Sequence, residues 1–231
     1  MGRFDDVVVV DTAGGTNSAD DGSTSSEDIA AKQSARKVFR GGWGSVDTVK
    51  QQDSPYAQRV KVTGDPVLVR FLQDDPYAHY RQHWINERQG QKSFTCIDGV
   101  HEQGCPLCAA GHRPSARFAF NVALMTEEGP LLRSYEVGPR DIDSLKNFHN
   151  HPTQGPLSKH YWAISRTGSG PTSQRAHQMV RERDLAEEWP LIEALNDTSL
   201  EELRLKMYDE SIIPIPSRKT LATIASEDLG A

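Results

Sequence analysis

All three cysteines of this 231-residue chain fall within the thirteen-residue stretch CIDGVHEQGCPLC (96–108), which also holds a histidine. Cys105 and Cys108 form a C-x-x-C pair stiffened by Pro106. That spacing lets two thiolates on a tight turn face a single ion. Cys96 lies nine residues earlier at the end of a candidate strand, so a hairpin-like return delivers a third sulfur. Three soft thiolates and one imidazole complete a tetrahedral zinc site, structural in kind because no position is left for water. One structural Zn2+ is therefore expected. An odd thiol count argues against a disulfide framework, and a thioredoxin-like redox pair would need a βαβ context that is missing. Three histidines compete as the fourth ligand: His101 inside the loop, His112 four residues past Cys108, and His83 upstream in YRQHWINERQG. Spacing alone favours His101 or His112. A ligand at His83 would instead tie two segments of the domain together.

The net charge of −6 is unevenly spread. Residues 1–31 carry a net −6, residues 32–183 a net +7 and residues 184–231 a net −7. An acidic–basic–acidic chain points to a central module for a polyanion, with acidic ends that compete for the same surface or recruit partners. Mean hydropathy is −0.60 and no apolar run approaches the ~20 residues of a membrane span, so no membrane role is expected. The N-terminus MGRFDDVVVV has a short apolar run with Asp5 and Asp6 where an export signal carries basic residues. The expected location is the reducing cytoplasm, where clustered thiols bind metal.

The elements that must position these groups read mainly as short strands. Residues 1–31, rich in Gly, Ser, Thr, Asp and Asn, form an expected disordered acidic tail. A basic, potentially helical stretch follows at 30–44. Candidate strands are PVLVRFLQ (66–73), KSFTCI (92–97), ARFAFNVALM (116–125), LLRSYEV (131–137), HYWAISR (160–166) and HQMVRER (177–183). A helix is expected over 139–150, with Pro139 near its start and Ile142, Leu145 and Phe148 spaced by three. LAEEWPLIEAL and SLEELRLKMYDE read as helical, and Ser217 as the N-cap of a last helix. About five strands with one inserted helix suit a small Greek-key barrel of the OB-fold type. The expected organisation is thus a zinc-containing OB-fold core over 32–185 and an acidic helical region over 186–231.

The order His83, twelve residues, Cys96, eight residues, Cys105, two residues, Cys108 resembles the zinc motif of the T-even phage single-stranded DNA-binding (helix-destabilising) proteins, which is embedded in an OB-fold. RFLQDDPYAHYRQHWINERQGQKSFTC, CPLCAAGHRPSARFAFNVAL, GPLSKHYWAISRTGSG and YDESIIPIPSRKTL resemble the single-stranded DNA-binding proteins of actinobacterial tailed phages, over roughly positions 36–225. The resemblance implies His83 as the fourth ligand. It also implies a non-catalytic protein that coats and protects single-stranded DNA during phage replication, recombination and repair in the infected bacterial cell. Phage or host replication and recombination proteins would dock on its acidic segments, and copies would associate cooperatively on DNA. The chain departs from the T-even pattern in splitting its acid between both ends. SARKVFR (34–40) is only a loose counterpart of the cooperativity motif.

Single-strand binding needs a basic groove and aromatic faces for stacking. Phe118 and Phe120 run in phase with Val122 and Leu124 and belong to the core, as does Trp162 with Ile164. Tyr161 falls on the opposite face near Lys159 and reads as an exposed platform. Phe94 shares a face with Lys92, and Arg70 lies opposite Val69 and Phe71. The run PYAHYRQHW brings Tyr77, Tyr80, Arg81 and Trp84 within eight residues, next to His83. The expected DNA contacts are Arg70, Tyr77, Tyr80, Arg81, Lys92, Phe94, Lys159, Tyr161 and Arg166, with zinc fixing the loops that present them. Two other functions compete. His149-Asn150-His151 near a C-x-x-C is reminiscent of a zinc-braced HNH nuclease, but the ββα context and a second C-x-x-C are missing. A zinc-ribbon adaptor would fit the acidic ends and leave the basic, aromatic middle unexplained. No phosphate-binding loop, nucleophile elbow or carboxylate dyad is present, so no enzymatic activity is expected.

Overall fold

A computed structural model describes residues 56–168 and 173–230. The acidic segment 1–31, the basic stretch 30–44 and SARKVFR lie outside the described residues.

The longest strand, β4 (Ser115–Thr126), organises the sheet. Its period-2 pattern puts Phe118, Phe120, Val122 and Leu124 on one face, and Ala119, Asn121, Ala123 and Met125 on the other. Twelve residues give room for two neighbours end to end along one edge. β2 (Ala78–Trp84) pairs antiparallel with its first half, Tyr80 opposite Arg117. β1 (Val67–Phe71) pairs antiparallel with its second half, Phe71 opposite Val122. β5 (Gly129–Val137) returns along the other edge, and Gly129 at φ 118° makes the tight reversal that a side chain would strain. β3 (Ser93–Thr95) adds to β2, β6 (Tyr161–Thr167) to β1, and β7 (Gln174–Val180) to β6. The path runs β3-β2-β4-β1-β6-β7, every ladder antiparallel.

The sheet is open. Among the described residues no ladder joins β7 to β5, so a closed barrel does not follow from the pairing. Side chains span the gap instead: Arg175 Nη1 donates to the Glu136 carbonyl at 2.7 Å, and Tyr135 Oη lies 2.7 Å from His177 Nε2.

Among the described residues, five α-helices flank the sheet: α1 (Pro106–Ala109), α2 (Pro139–Asn150), α3 (Leu185–Glu188), α4 (Asp197–Arg204) and α5 (Arg218–Leu229). α2 matches its expected range and seals one face, where Leu145, Phe71, Phe120, Tyr135, Trp162 and Ile164 form the largest cluster. The aromatic rings there meet edge to face, Phe71 to Phe120 at 5.4 Å. The opposite face is covered as well: Leu185, Leu195 and Leu203 from the acidic C-terminal region pack on Leu68, Ala123 and Tyr161. Two-sided cover explains why Leu68 and Val69, neighbours pointing opposite ways, are both buried. A third cluster joins α5 to α1 and β3 through Leu221, Ile224, Leu107 and Phe94. Burying such a side chain contributes about 2 kcal/mol each.

Several boundaries differ from the sequence reading. β2 was not expected as a strand. β7 begins three residues earlier than 177, and Glu182–Asp184 is a 3-10 turn. LAEEWPLIEAL is helical only over Leu185–Glu188, because Trp189 precedes a proline and is driven out of helical geometry. α4 stops at Arg204, whereas the reading carried helix to 210. Ser217 caps α5 as expected, its Oγ accepting from the Thr220 N–H at 3.1 Å.

Candidate metal centre and nucleic-acid face

β2 carries two kinds of chemistry on its two faces. His83 and its ladder partner Phe94 point one way, and Gln82 with Thr95 points the other.

On the first face the Cys96 thiol approaches from the end of β3. α1 supplies Cys105 at its N-cap and Cys108 one turn later. With His83 these are the one group of metal-ligating side chains among the described residues, their donor atoms all within 4.8 Å of one another. Cys96 Sγ and Cys108 Sγ are 3.5 Å apart, and His83 Nε2 lies 3.5 Å from Cys105 Sγ and 3.6 Å from Cys108 Sγ. A tetrahedron with Zn–S near 2.3 Å and Zn–N near 2.0–2.1 Å has S···S edges of about 3.8 Å and S···N edges of about 3.5 Å. The donor set and its spacing therefore fit one zinc ion, with His83, Cys96, Cys105 and Cys108 holding it. His101 is exposed in the loop and its Nδ1 accepts from the Gln103 N–H, outside the group. His112 also lies outside it.

Local electrostatics suit a metal. His83 is fully buried, and burial, helped by His112 and Arg81, lowers its pKa to about 4, so the imidazole is in its neutral, ligating form. Burial pushes the Cys108 thiol up to about 12 and raises Cys96 as well. Burial acts the same way on Cys105, but the backbones of Cys108, Ile97 and Leu107 and the Cys96 thiol outweigh it and hold it below its usual value. A cation must displace protons from these thiols to bind.

The second face is a row: Tyr80, Gln82 and Trp84 at alternate positions of β2, with Arg117 across the ladder from Tyr80. The Trp84 ring is 43% exposed, and the Arg117 guanidinium lies 5.8 Å from its centroid. Trp84 Nε1 donates to Gln82 Oε1 at 3.1 Å, which fixes the indole. Arg117 Nε has no hydrogen-bond partner among the described residues. Tyr80 and Gln82 of this row line a cleft of about 820 Å3 together with Arg59, Lys61, Glu136, Ile213 and Ile215, Arg59 Nε donating to Glu136 Oε1 at 2.6 Å, while Trp84 and Arg117 lie outside this lining. A second hollow of about 410 Å3, reaching Arg81 and Arg117, shares Tyr80, Thr95, Ile213 and Ile215 with it. Residues 212–215 thus run as a strap between the two hollows.

No protein-family model, curated protein or solved structure matches this chain. What the site does is read from its own residues.

Of the expected DNA contacts, Tyr80 and Arg81 line these hollows, with Arg81 also paired to Asp98 at 3.0 Å. Tyr77 turns away, its hydroxyl 2.8 Å from Ser134 Oγ and its ring against Tyr208. Lys92 is exposed and donates to the Asn86 carbonyl, and Arg166 is exposed at the end of β6. Two aromatic expectations are corrected. Tyr161 is fully buried rather than an exposed platform, because the C-terminal helices cover that face of β6 and its hydroxyl accepts from the Leu195 N–H at 2.7 Å. Arg70 lies over the Tyr161 ring at 5.2 Å and also meets Glu182, so Arg70 and Tyr161 brace the C-terminal region, while Lys159 is exposed. Phe94 is 5% exposed and packs beneath the thiol clip with Leu107 and Ile224. Arg59, Lys61, Gln82 and Arg117 were missed by the sequence reading. Arg117 carried a usable signal, since it is a cation out of phase with the Phe118–Phe120 core positions of the same strand.

Proposed function

We propose that this chain is a single-stranded DNA-binding protein of the phage type that its sequence resembles, built on an OB-like barrel and braced by one structural zinc ion. The supporting observation is the division of labour on β2: Tyr80 and Gln82 line a cleft that also holds Arg59 and Lys61, exposed Trp84 continues the same row beside Arg117, and His83, between them in sequence, joins three thiols on the reverse side. A strand pinned from behind presents an aromatic and a guanidinium without losing their orientation when a flexible polymer arrives. Bases stack on Trp84 and Tyr80, and Arg59, Lys61, Arg81 and Arg117 follow the phosphates. On this reading, the side chains that span the gap between β5 and β7 would take the place of the missing ladder in an OB-like barrel. Three thiolates and an imidazole leave zinc no open position, so the ion supplies rigidity and no chemistry.

The role is stoichiometric: coating and protecting single strands during phage replication, recombination and repair in the host cytoplasm. The exposed acids of the C-terminal region, among them Glu187, Glu188, Glu201 and Glu202, would recruit replication and recombination proteins, and copies would associate along DNA. A nuclease reading is disfavoured by His149, which sits in the last turn of α2 3.8 Å from Asp74 and belongs to no group of three or more metal-ligating side chains among the described residues. Among the described residues no helix is long and apolar enough to cross a membrane.

Replacing Trp84 with Ala tests this face of β2. Loss of one stacking platform should weaken binding of a fluorescein-labelled oligo(dT), read by anisotropy, roughly tenfold at constant salt. An unchanged affinity would remove β2 from the interface.

A further inference from the structure

We infer that His112 is a positioning residue for the metal, which sets the tautomer and aim of His83 through a relay ending on the Trp84 carbonyl. The inference rests on the zinc reading of the four-residue group and adds a fifth side chain to it.

The relay follows from counting protons. His112 Nε2 lies 3.1 Å from the Trp84 carbonyl oxygen, which can only accept, so the Nε2 of neutral His112 carries the hydrogen. Its Nδ1 then presents a lone pair. That Nδ1 is 3.0 Å from His83 Nδ1, which must therefore be the donor. A neutral His83 protonated on Nδ1 has its free lone pair on Nε2, the atom 3.5 Å and 3.6 Å from the Cys105 and Cys108 sulfurs. One backbone carbonyl thus fixes the protonation of two imidazoles and turns the single available lone pair toward the thiols. The opposite tautomer of His83 would leave two lone pairs facing each other at 3.0 Å.

The chain delivers His112 with the thiols. Gly111 takes a left-handed φ of 81° after α1, its N–H donating to the Cys108 carbonyl at 2.9 Å. His112 N–H then donates to the Leu107 carbonyl at 3.0 Å. The turn CPLCAAGH is therefore one unit that carries two thiol ligands and the imidazole that orients the nitrogen ligand, His83. Its ring sits 5.1 Å from that of His83. Outer hydrogen-bond partners of this kind raise ligand basicity and hold ring orientation, and their loss costs about 10–100-fold in metal affinity.

The test uses the full chain, loaded with Zn2+ against a chromophoric chelator and with Co2+ for its absorption spectrum. His112→Phe keeps a ring but leaves the His83 N–H unpaired. His112→Gln restores an acceptor and a donor in one side chain. The expected result is a 10–100-fold weaker zinc affinity for His112→Phe, with a Co2+ spectrum that keeps the three-sulfur, one-nitrogen pattern, and recovery of most of the loss by His112→Gln. His83→Ala, in contrast, should change the Co2+ spectrum itself. Wild-type affinity in His112→Phe would overturn the relay, as would equal weakening by Phe and Gln. A wild-type chain that binds neither ion would overturn the metal site and the relay with it.

Discussion

At the residue scale, the chemistry divides into groups that announce themselves and groups that need the fold. The three thiols and the C-x-x-C spacing were legible because zinc demands soft donors at short separation. The fourth ligand was not legible from spacing, which favoured His101 and His112. The residue brought to the sulfurs is His83, reached through the β2–β3 ladder and in agreement with the family resemblance. Buried histidines also set a pH dependence. His177 on β7 is held down to about 4 by burial, with Arg175 adding and Asp141 opposing, and its Nε2 meets the Tyr135 hydroxyl. Its ordinary value is about 6.5. Between these values the unfolded chain binds the proton and the folded chain does not, so stability rises with pH across this window. The contribution is complete above about 6.5 and is lost as pH falls toward 4, at most about 3 kcal/mol. His177→Gln should therefore lose less Tm than wild type between pH 7 and pH 5, measured by calorimetry. Parallel losses would show that His177 accepts a proton in the fold.

At the element scale, strands with a buried face were readable and the functional strand was not. β4 alternates large apolar side chains on the α2-covered face with smaller ones on the other, and its parity correctly placed Phe120 and Val122 in the core. β2 reads AHYRQHW, polar on both faces, because one side holds a ligand and the other faces the cleft. Tertiary cover defeated the same parity logic at Tyr161, since nothing local to β6 reveals that α3, α4 and their connection lie over it. The segment leading into the strap beside the cleft has a buried anchor. Asn121, fully buried on β4, accepts from the Tyr208 N–H and donates to the Tyr208 carbonyl, both at 2.9 Å. An amide side chain here does the work of a neighbouring strand. Asn121→Leu should cost about 3 kcal/mol in urea unfolding, because it strands a backbone donor and acceptor away from water. A cost below about 0.5 kcal/mol, the scale of an ordinary surface change, would contradict the anchor.

At the scale of the whole molecule, charge separation is the organising feature. The net +7 of residues 32–183 and the net −7 of residues 184–231 were visible in the sequence. How they meet was not: in the same compact unit as the strands, Leu185, Leu195 and Leu203 of the acidic region pack against one sheet face, residues 212–216 line the cleft beside Arg59 and Lys61, and α5 packs on α1 and β3. The account's central claim is that the β2 face beside the cleft binds unpaired DNA through phosphates and stacking. The direct measurement is titration of the zinc-loaded chain with oligo(dT) and with a duplex of equal length at two salt concentrations. The claim predicts much tighter binding to oligo(dT), weakening with salt by about 0.7 log units per tenfold salt for each phosphate contact. Preference for the duplex, or affinity for oligo(dT) indifferent to salt, would contradict it.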